Sequence, residues 1–423
     1  MERSSDICNQ LYELAKSHNG RNVDLDLNGV PVLVIQRLED ADYILRLNAE
    51  NYRKNMDWFR QALGPSRFSE DGKAWEIRRD LTQPYFNKFD RERTFRLAAA
   101  HGRIALDKMI ARSAKGLSTL DDDIPREMMC SIFIENFFEV KLSDTPIDLG
   151  LIAKLVEYGS EYSFVPAGQT KALYRDRLSK LPELRRQVLA SMRFFRDDSL
   201  PVTPILEGMR AADRDPSTGI VLEHELLTCL ASGAETSAAT TGWMCYVLAA
   251  HPQLQDELRV LAKAFWQSDD ANWAGLSRLR PIAHLISETL RLYPPTPIIG
   301  RLALAPDRIG EREIEAGQNI LISFVGIQRD ARLRANPWVL DIGDEAMKPG
   351  SGEGTAFSFG PRVCGGKQFA LVELATILSL FLANASFELT SDDPPRFYWK
   401  SQMLRQGGQP VRVRPIADGS LVA

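Results

Sequence analysis

The chain has 423 residues, 44% hydrophobic and 26% charged, with a formal net charge of -4. That is ordinary globular composition, and the mildly acidic balance gives nucleic acid nothing to bind. Five scattered cysteines, Cys8, Cys130, Cys229, Cys245 and Cys364, argue for a reducing compartment and against a disulfide framework. The polar opening Met-Glu-Arg-Ser-Ser-Asp-Ile-Cys-Asn-Gln has no apolar core, so a cytoplasmic chain without signal or membrane anchor is expected.

In chain order, Val23–Leu27 and Val30–Ile35 flank Asn28-Gly29, a strong hairpin signal. Residues 40–47 read as a short helix, and 51–72 as irregular chain with Gly64-Pro65 and Asp71-Gly72 as turns. Residues 75–100 are helical around a break at Pro84. Seven Lys/Arg against four Asp/Glu between Lys73 and Arg96 leave a local excess of +3, and such a run is usually a solvated face. Residues 103–112, 124–140 and 149–158 read as helices. Residues 161–204 read as two amphipathic helices joined near Val165-Pro-Ala-Gly168.

Residues 218–250 form a helix of unusual length. Its part 226–250 is long enough to span a bilayer, but Glu235 and five Ser/Thr residues make a buried core helix the better reading. Pro252 opens the next helix, and Arg280–Leu292 is another, stopped by Pro294-Pro295. Residues 298–304 and 319–324 are β-rich. Residues 332–356 carry no period, and so long a run is commonly functional or disordered. Nothing marks a domain boundary. The expectation is a single, mainly α domain over 1–423, with a small β-rich part at about 20–36 and 296–325.

The chemistry concentrates at residues 357–366, Phe357-Ser-Phe-Gly-Pro-Arg-Val-Cys-Gly-Gly, followed by apolar residues at helical spacing from Lys367. Cys364 therefore sits on a loop that empties into a helix N-terminus, where free N–H groups and the dipole favour a thiolate. Gly360 and Gly366 permit a sharp turn and close approach of a flat ligand. Phe357 can shield the sulfur, and Arg362 offers a partner to an anion. A lone cysteine more often simply packs in a core. Five residues at fixed offsets, Cys364 and the four that frame it, instead meet the needs of a thiolate ligand to haem iron.

The pattern Phe-x-x-Gly-x-Arg-x-Cys-x-Gly resembles the haem-binding signature of the cytochrome P450 family. Ser232-Gly-Ala-Glu-Thr-Ser237 resembles that family's oxygen-activation motif, with Ser232 in place of the usual Ala or Gly. The resemblance gives Gly233 the role of clearing room for a ligand, Thr236 that of a hydroxyl donor, and Glu235 that of a proton source. Taken alone, a glycine at a helix crossing beside a satisfied core glutamate would explain the same letters. Trp75-Glu-Ile-Arg-Arg79 matches the family's Trp-x-x-x-Arg, whose members reach a haem propionate. Arg301 and Arg362 are expected to serve the propionates too, since the planar guanidinium fork suits carboxylates.

Glu288-Thr-Leu-Arg291 matches the Glu-x-x-Arg pair that holds the core beneath the haem. The third member of that set is usually an Arg in the following coil. Here Asp344 stands in its place, so the third partner is missing or supplied from elsewhere. Gly350-x-Gly352-x-Gly354 follows no strand and is no dinucleotide fingerprint.

The resemblance implies the cytochrome P450 fold with haem b between the Glu235 helix and Cys364, the metal ligand. It implies a monooxygenase using O2 on a small, largely apolar substrate such as a terpenoid, lipid or secondary metabolite. Electrons would come from a separate ferredoxin or flavodoxin and its reductase, since too few residues follow Cys364 for a fused redox domain. A basic patch of Arg78, Arg79, Lys88, Arg91, Arg93 and Lys367 is the expected docking site on a cytoplasmic monomer without membrane contact. The rival readings are a peroxide-driven oxygenase or haem-thiolate isomerase or dehydratase, and a non-catalytic haem sensor.

Overall fold

The computed structural model describes residues 6–27, 29–161, 172–343 and 355–416. It is mainly helical with small sheets. The Asn28 tip of the hairpin, the loop near Val165, Asp344 and the Gly350–Gly354 run lie outside the described residues.

The core is built around the 29-residue helix Leu222–Ala250. It packs against Asp123–Phe138, and the helix after the cysteine, Lys367–Asn384, packs against Arg91–Ala114. Two small residues set these distances. A Cβ at Gly102 would meet Leu380 Cδ2 at 2.9 Å, and one at Gly233 would meet the Phe133 ring at 3.3 Å. Phe133, Phe137 and Phe369 cluster at the junction, with Phe137 and Phe369 centroids 4.9 Å apart. Trp243, fully buried, stacks on Tyr293 at 4.3 Å and donates its indole N–H to the Met403 carbonyl at 3.0 Å, tying the long helix to the C-terminal hairpin.

The main sheet has five strands in the order Val23–Leu27, Val30–Ile35, Asn319–Ser323, Ile298–Ala303 and Tyr52–Lys54. The first pair is the expected hairpin, with Val23 opposite Val34. Val30–Ile35 then runs parallel to Asn319–Ser323, with Val32 opposite Asn319. At the far edge Lys54 lies opposite Arg301, so two cations sit side by side. One sheet thus joins residues 23–54 to residues 298–323.

Several boundaries depart from expectation. The helix expected over 40–47 is α only over Leu38–Asp42 and continues as a π-turn, Tyr43–Leu47. The stretch 51–72 holds the edge strand Tyr52–Lys54 and the helix Asp57–Leu63. Pro84 does not break its helix, Gly72–Asn87; it lies in the last turn, and the next helix begins at Arg91 after the N-cap Asp90. The long helix starts at Leu222 because Gly219 takes a left-handed conformation, φ 61°. Short strands at Ala385–Leu389, Phe397–Trp399, Met403–Arg405 and Val411–Pro415 went unread. Among the described residues, the one helix long and apolar enough to cross a membrane is Lys367–Asn384, not 226–250, and it is 78% buried inside the protein.

Candidate functional site

The cysteine loop is shaped by backbone geometry. Gly360 has φ +73°, and a Cβ on it would collide with the Leu45 carbonyl, so the π-turn Tyr43–Leu47 presses directly on the loop. A glycine is needed here on both counts. The loop closes where the Cys364 N–H donates to the Phe357 carbonyl at 2.8 Å. The Phe357 ring lies beneath the Lys367 ammonium, 5.5 Å from its centroid. At Gly366 a Cβ would meet nothing within 4 Å, so this face of the loop is open.

The Cys364 thiol is solvent-accessible, yet burial pushes its pKa up; the sulfur faces a recess enclosed by protein. Opposing that push, the Gly366 and Lys367 N–H groups at the helix start and the Arg67 and Lys367 charges favour the thiolate. The other four cysteines are pushed up chiefly by burial.

Cations crowd one side of this recess. Arg362 Nη2 donates to Asp71 Oδ1 at 2.6 Å while its Nη1 is buried without a partner. Its guanidinium lies 3.9 Å from the Trp75 ring centroid, and that of Arg79 lies 4.7 Å from the same centroid. Arg301 is buried; desolvation, then the Arg362 charge, hold it down to about 10. Lys54 is held well below the ordinary lysine range by burial and by Arg301 and Arg362. Arg67 wedges between Thr82, to which Nη1 donates at 2.8 Å, and Gly365. Asp71 is the acid that offsets both Lys54 and Arg362. So dense a group of buried cations calls for further anions. The two carboxylates of haem, with the open Gly366 face and the accessible sulfur, fit these residues.

Across the core, Thr236 is half-exposed and donates its hydroxyl to the Ser232 carbonyl at 2.9 Å. Glu235 points elsewhere. Its Oε1 accepts from Arg126 Nε at 2.7 Å and its Oε2 from Gln402 Nε2 at 2.8 Å. Burial raises its pKa against the pull of Arg126, which also pairs with Asp122. Gly233 has a packing role, because its missing side chain makes way for Phe133 of the crossing helix. The clearance expected for a ligand is thus clearance for a helix.

Sequence reasoning missed Lys54, Arg67 and Asp71, which lie on short elements without period. It also missed Glu373, fully enclosed on the helix after the cysteine, which accepts the Ser237 hydroxyl at 2.5 Å; burial pushes it up to about 8. The Glu288–Arg291 pair is buried and doubly bonded, at 2.7 and 2.9 Å. Its third member is Arg334, whose Nη1 lies 3.0 Å from Glu288 Oε1. The expected basic patch needs correction. Arg78 is buried and paired with Glu225 at 2.8 Å, and Arg93 pairs with Glu139, so Lys88 and Arg91 are its exposed members.

Residues 202–411 match the family model for cytochrome P450. The chain is 28% identical over 230 residues to 11-oxo-beta-amyrin 30-oxidase of Glycyrrhiza uralensis, covering 51% of this chain and 43% of that protein. It is 30% identical over 269 residues to leukotriene-B4 omega-hydroxylase 3 of Mus musculus, covering 59% and 49%. It is 24% identical over 429 residues to protein LUTEIN DEFICIENT 5 of Arabidopsis thaliana, covering 91% and 70%. In the first two alignments the chain spans about half the length of the curated relative. Motif, fold and matched region agree, and the chain belongs to the cytochrome P450 family.

Proposed function

We propose that this chain is a monooxygenase that holds haem through Cys364 and inserts one oxygen atom of O2 into a small organic substrate. The balance is R–H plus O2, two electrons and two protons, giving R–OH and water. The carrying observation is the accessible Cys364 sulfur, beside a set of cations on one side of the recess that outnumber Asp71 and include the unpartnered Arg362 Nη1. Haem bound there supplies the iron at which dioxygen is reduced. Arg79, Arg301 and Arg362, with Lys54, hold its propionates. Thr236 presents a hydroxyl that can hold a water or pass a proton. The apolar residues around the long helix keep bulk water out. The relatives' names, a triterpene oxidase and a lipid hydroxylase, support a terpenoid- or lipid-like substrate. The five free cysteines support a cytoplasmic setting, with a separate ferredoxin or flavodoxin as electron donor.

A second reading, the peroxide-driven oxygenase, has one observation in its favour: Arg126 and Gln402 turn Glu235 away from Thr236. The test of the main reading is the ferrous–CO spectrum of the haem-loaded chain. It should show the red-shifted Soret band of thiolate-ligated haem and lose it in Cys364→Ala. A band that survives the substitution refutes the assignment. Turnover with a reductase, NADH and O2 but not with peroxide alone separates the two readings.

A further inference from the structure

The edge strand Tyr52–Lys54 sets Lys54 opposite Arg301 on the antiparallel strand Ile298–Ala303. Side chains opposite one another share a face of the sheet, and like charges placed so repel. A third cation bears on both from the cysteine loop, Arg362. Arg67, from the chain between Gly64 and Asp71, adds to the pressure on Lys54. Asp71 is the acid that answers them, and both its oxygens are in use. Oδ1 accepts from Arg362 Nη2 at 2.6 Å, and Oδ2 accepts from the Lys54 backbone N–H at 3.1 Å.

The Lys54 head group is left with neutral partners. It donates to the Phe68 carbonyl at 2.7 Å and lies 4.2 Å from the centroid of the Phe68 ring. Arg301 donates to the Gly300 carbonyl at 2.8 Å. Among the described residues neither makes an ion pair. An ammonium needs several acceptors, whereas a neutral amine is satisfied by one carbonyl. A guanidinium keeps its proton at any ordinary pH, so within this group the lysine is the residue that sheds its charge. Burial drives it the same way and, with Arg301 and Arg362, holds it well below the ordinary lysine range.

We propose that Lys54 is a proton-taking residue of the cofactor site: a neutral amine while Asp71 is the carboxylate of the group, it becomes an ammonium when the haem propionates join it. The proton comes from water and adds to the amine lone pair, and no other bond forms or breaks. Haem uptake therefore consumes a proton at Lys54, and affinity falls as pH rises. Lys54 is more basic beside propionates than without them. Below both pKa values it is charged throughout and affinity is flat; between them every rise in pH removes a reactant. This inference rests on the reading of the Cys364 recess as the haem site, and the proton is counted without reference to turnover.

The test is haemin uptake by the full chain, followed by calorimetry in two buffers of different ionisation enthalpy, which counts protons. Wild type is compared with Lys54→Arg, a cation that keeps its proton, and with Lys54→Met, which takes none. Cys364 and the propionates contribute equally in all three, so the difference belongs to Lys54. At pH 8 wild type should take up roughly one proton more per haem than either variant. From pH 7 to 9 its affinity, read by haem transfer to apomyoglobin, should fall by up to about tenfold per pH unit more steeply than that of Lys54→Arg. Equal proton counts in wild type and Lys54→Arg overturn the proposal, as does a wild-type slope no steeper than the variant's. The ferrous–CO band is read on the same samples. Its absence from wild type counts against the haem-thiolate reading and takes this inference with it; its presence with equal proton counts is evidence against Lys54 alone.

Discussion

Replacing Glu373 by glutamine should stabilise the protein, and increasingly so as pH rises. The carboxyl is fully enclosed on Lys367–Asn384 with the Ser237 hydroxyl as its hydrogen-bond partner, and burial lifts its pKa from an ordinary 4.5 to about 8. Between those values the native chain keeps a proton that the unfolded chain releases. Stability therefore falls as pH climbs from about 4.5 to 8 and levels off above. At 1.36 kcal/mol per decade, the whole window is worth roughly 5 kcal/mol, of which about 3 is already lost at pH 7. Glutamine keeps the shape and removes the titration, at a cost of about 1 kcal/mol if the Ser237 bond is poorer. Urea unfolding of both haem-loaded proteins at pH 5, 7 and 9 gives the answer. The difference between them should be near zero at pH 5 and a few kcal/mol in favour of the variant at pH 9. Parallel pH profiles would refute the reasoning, because they would mean that Glu373 is ionised and compensated in the native state.

Three further outcomes follow from the site. Thr236→Ala removes one hydroxyl bond and keeps the helix, so haem and substrate should still bind while reducing equivalents leak to hydrogen peroxide; NADH consumed per product formed measures this, and full coupling would make the residue structural. Arg126→Gln leaves the Glu235 carboxyl buried without its cation, which raises its pKa further; the variant should lose roughly 3–5 kcal/mol at pH 8 and much less at pH 5, read from urea midpoints. Gly360→Ala combines a left-handed residue with a collision at Leu45, for a loss of about 2–5 kcal/mol and weaker haem retention, seen as a lower melting temperature and faster haem transfer to apomyoglobin.

The parts of the site legible in the sequence are those whose residues lie close together in the chain. Phe357 to Gly366 is a continuous frame, and its fold follows from glycine conformations and a helix start. Trp75 and Arg79 share a helix face for the same local reason. What escaped notice was set by distance. Arg334 reaches Glu288 across 46 positions of chain that include an aperiodic coil, so nothing local marks it as the third partner. Arg78 reads as part of a solvated basic run, and only the fold brings Glu225 to it, from 147 positions away. Lys54 sits on a three-residue strand, too short to show alternation, and acquires its role from pairing with Arg301. Glu235 and Gly233 were legible as unusual residues, but not their geometry: the motif does not say that Arg126 waits on a neighbouring helix, or that Phe133 does.

The sheet also fixes when the protein can be finished. Val32 pairs with Asn319, 287 positions later, and Lys54 with Arg301. At about 5–20 residues per second, the N-terminal hairpin waits roughly 15–60 s on the ribosome for its parallel neighbour. During that interval the Val30–Ile35 edge is an open template for the wrong strand, and chaperone cover has most to offer there. Cys364 emerges later still, so the proposed thiolate ligand joins the cations beside it only after every strand of the sheet has been made. Haem capture on this reading follows assembly of the sheet, and a cell short of haem should accumulate an apoprotein with its sheet already paired.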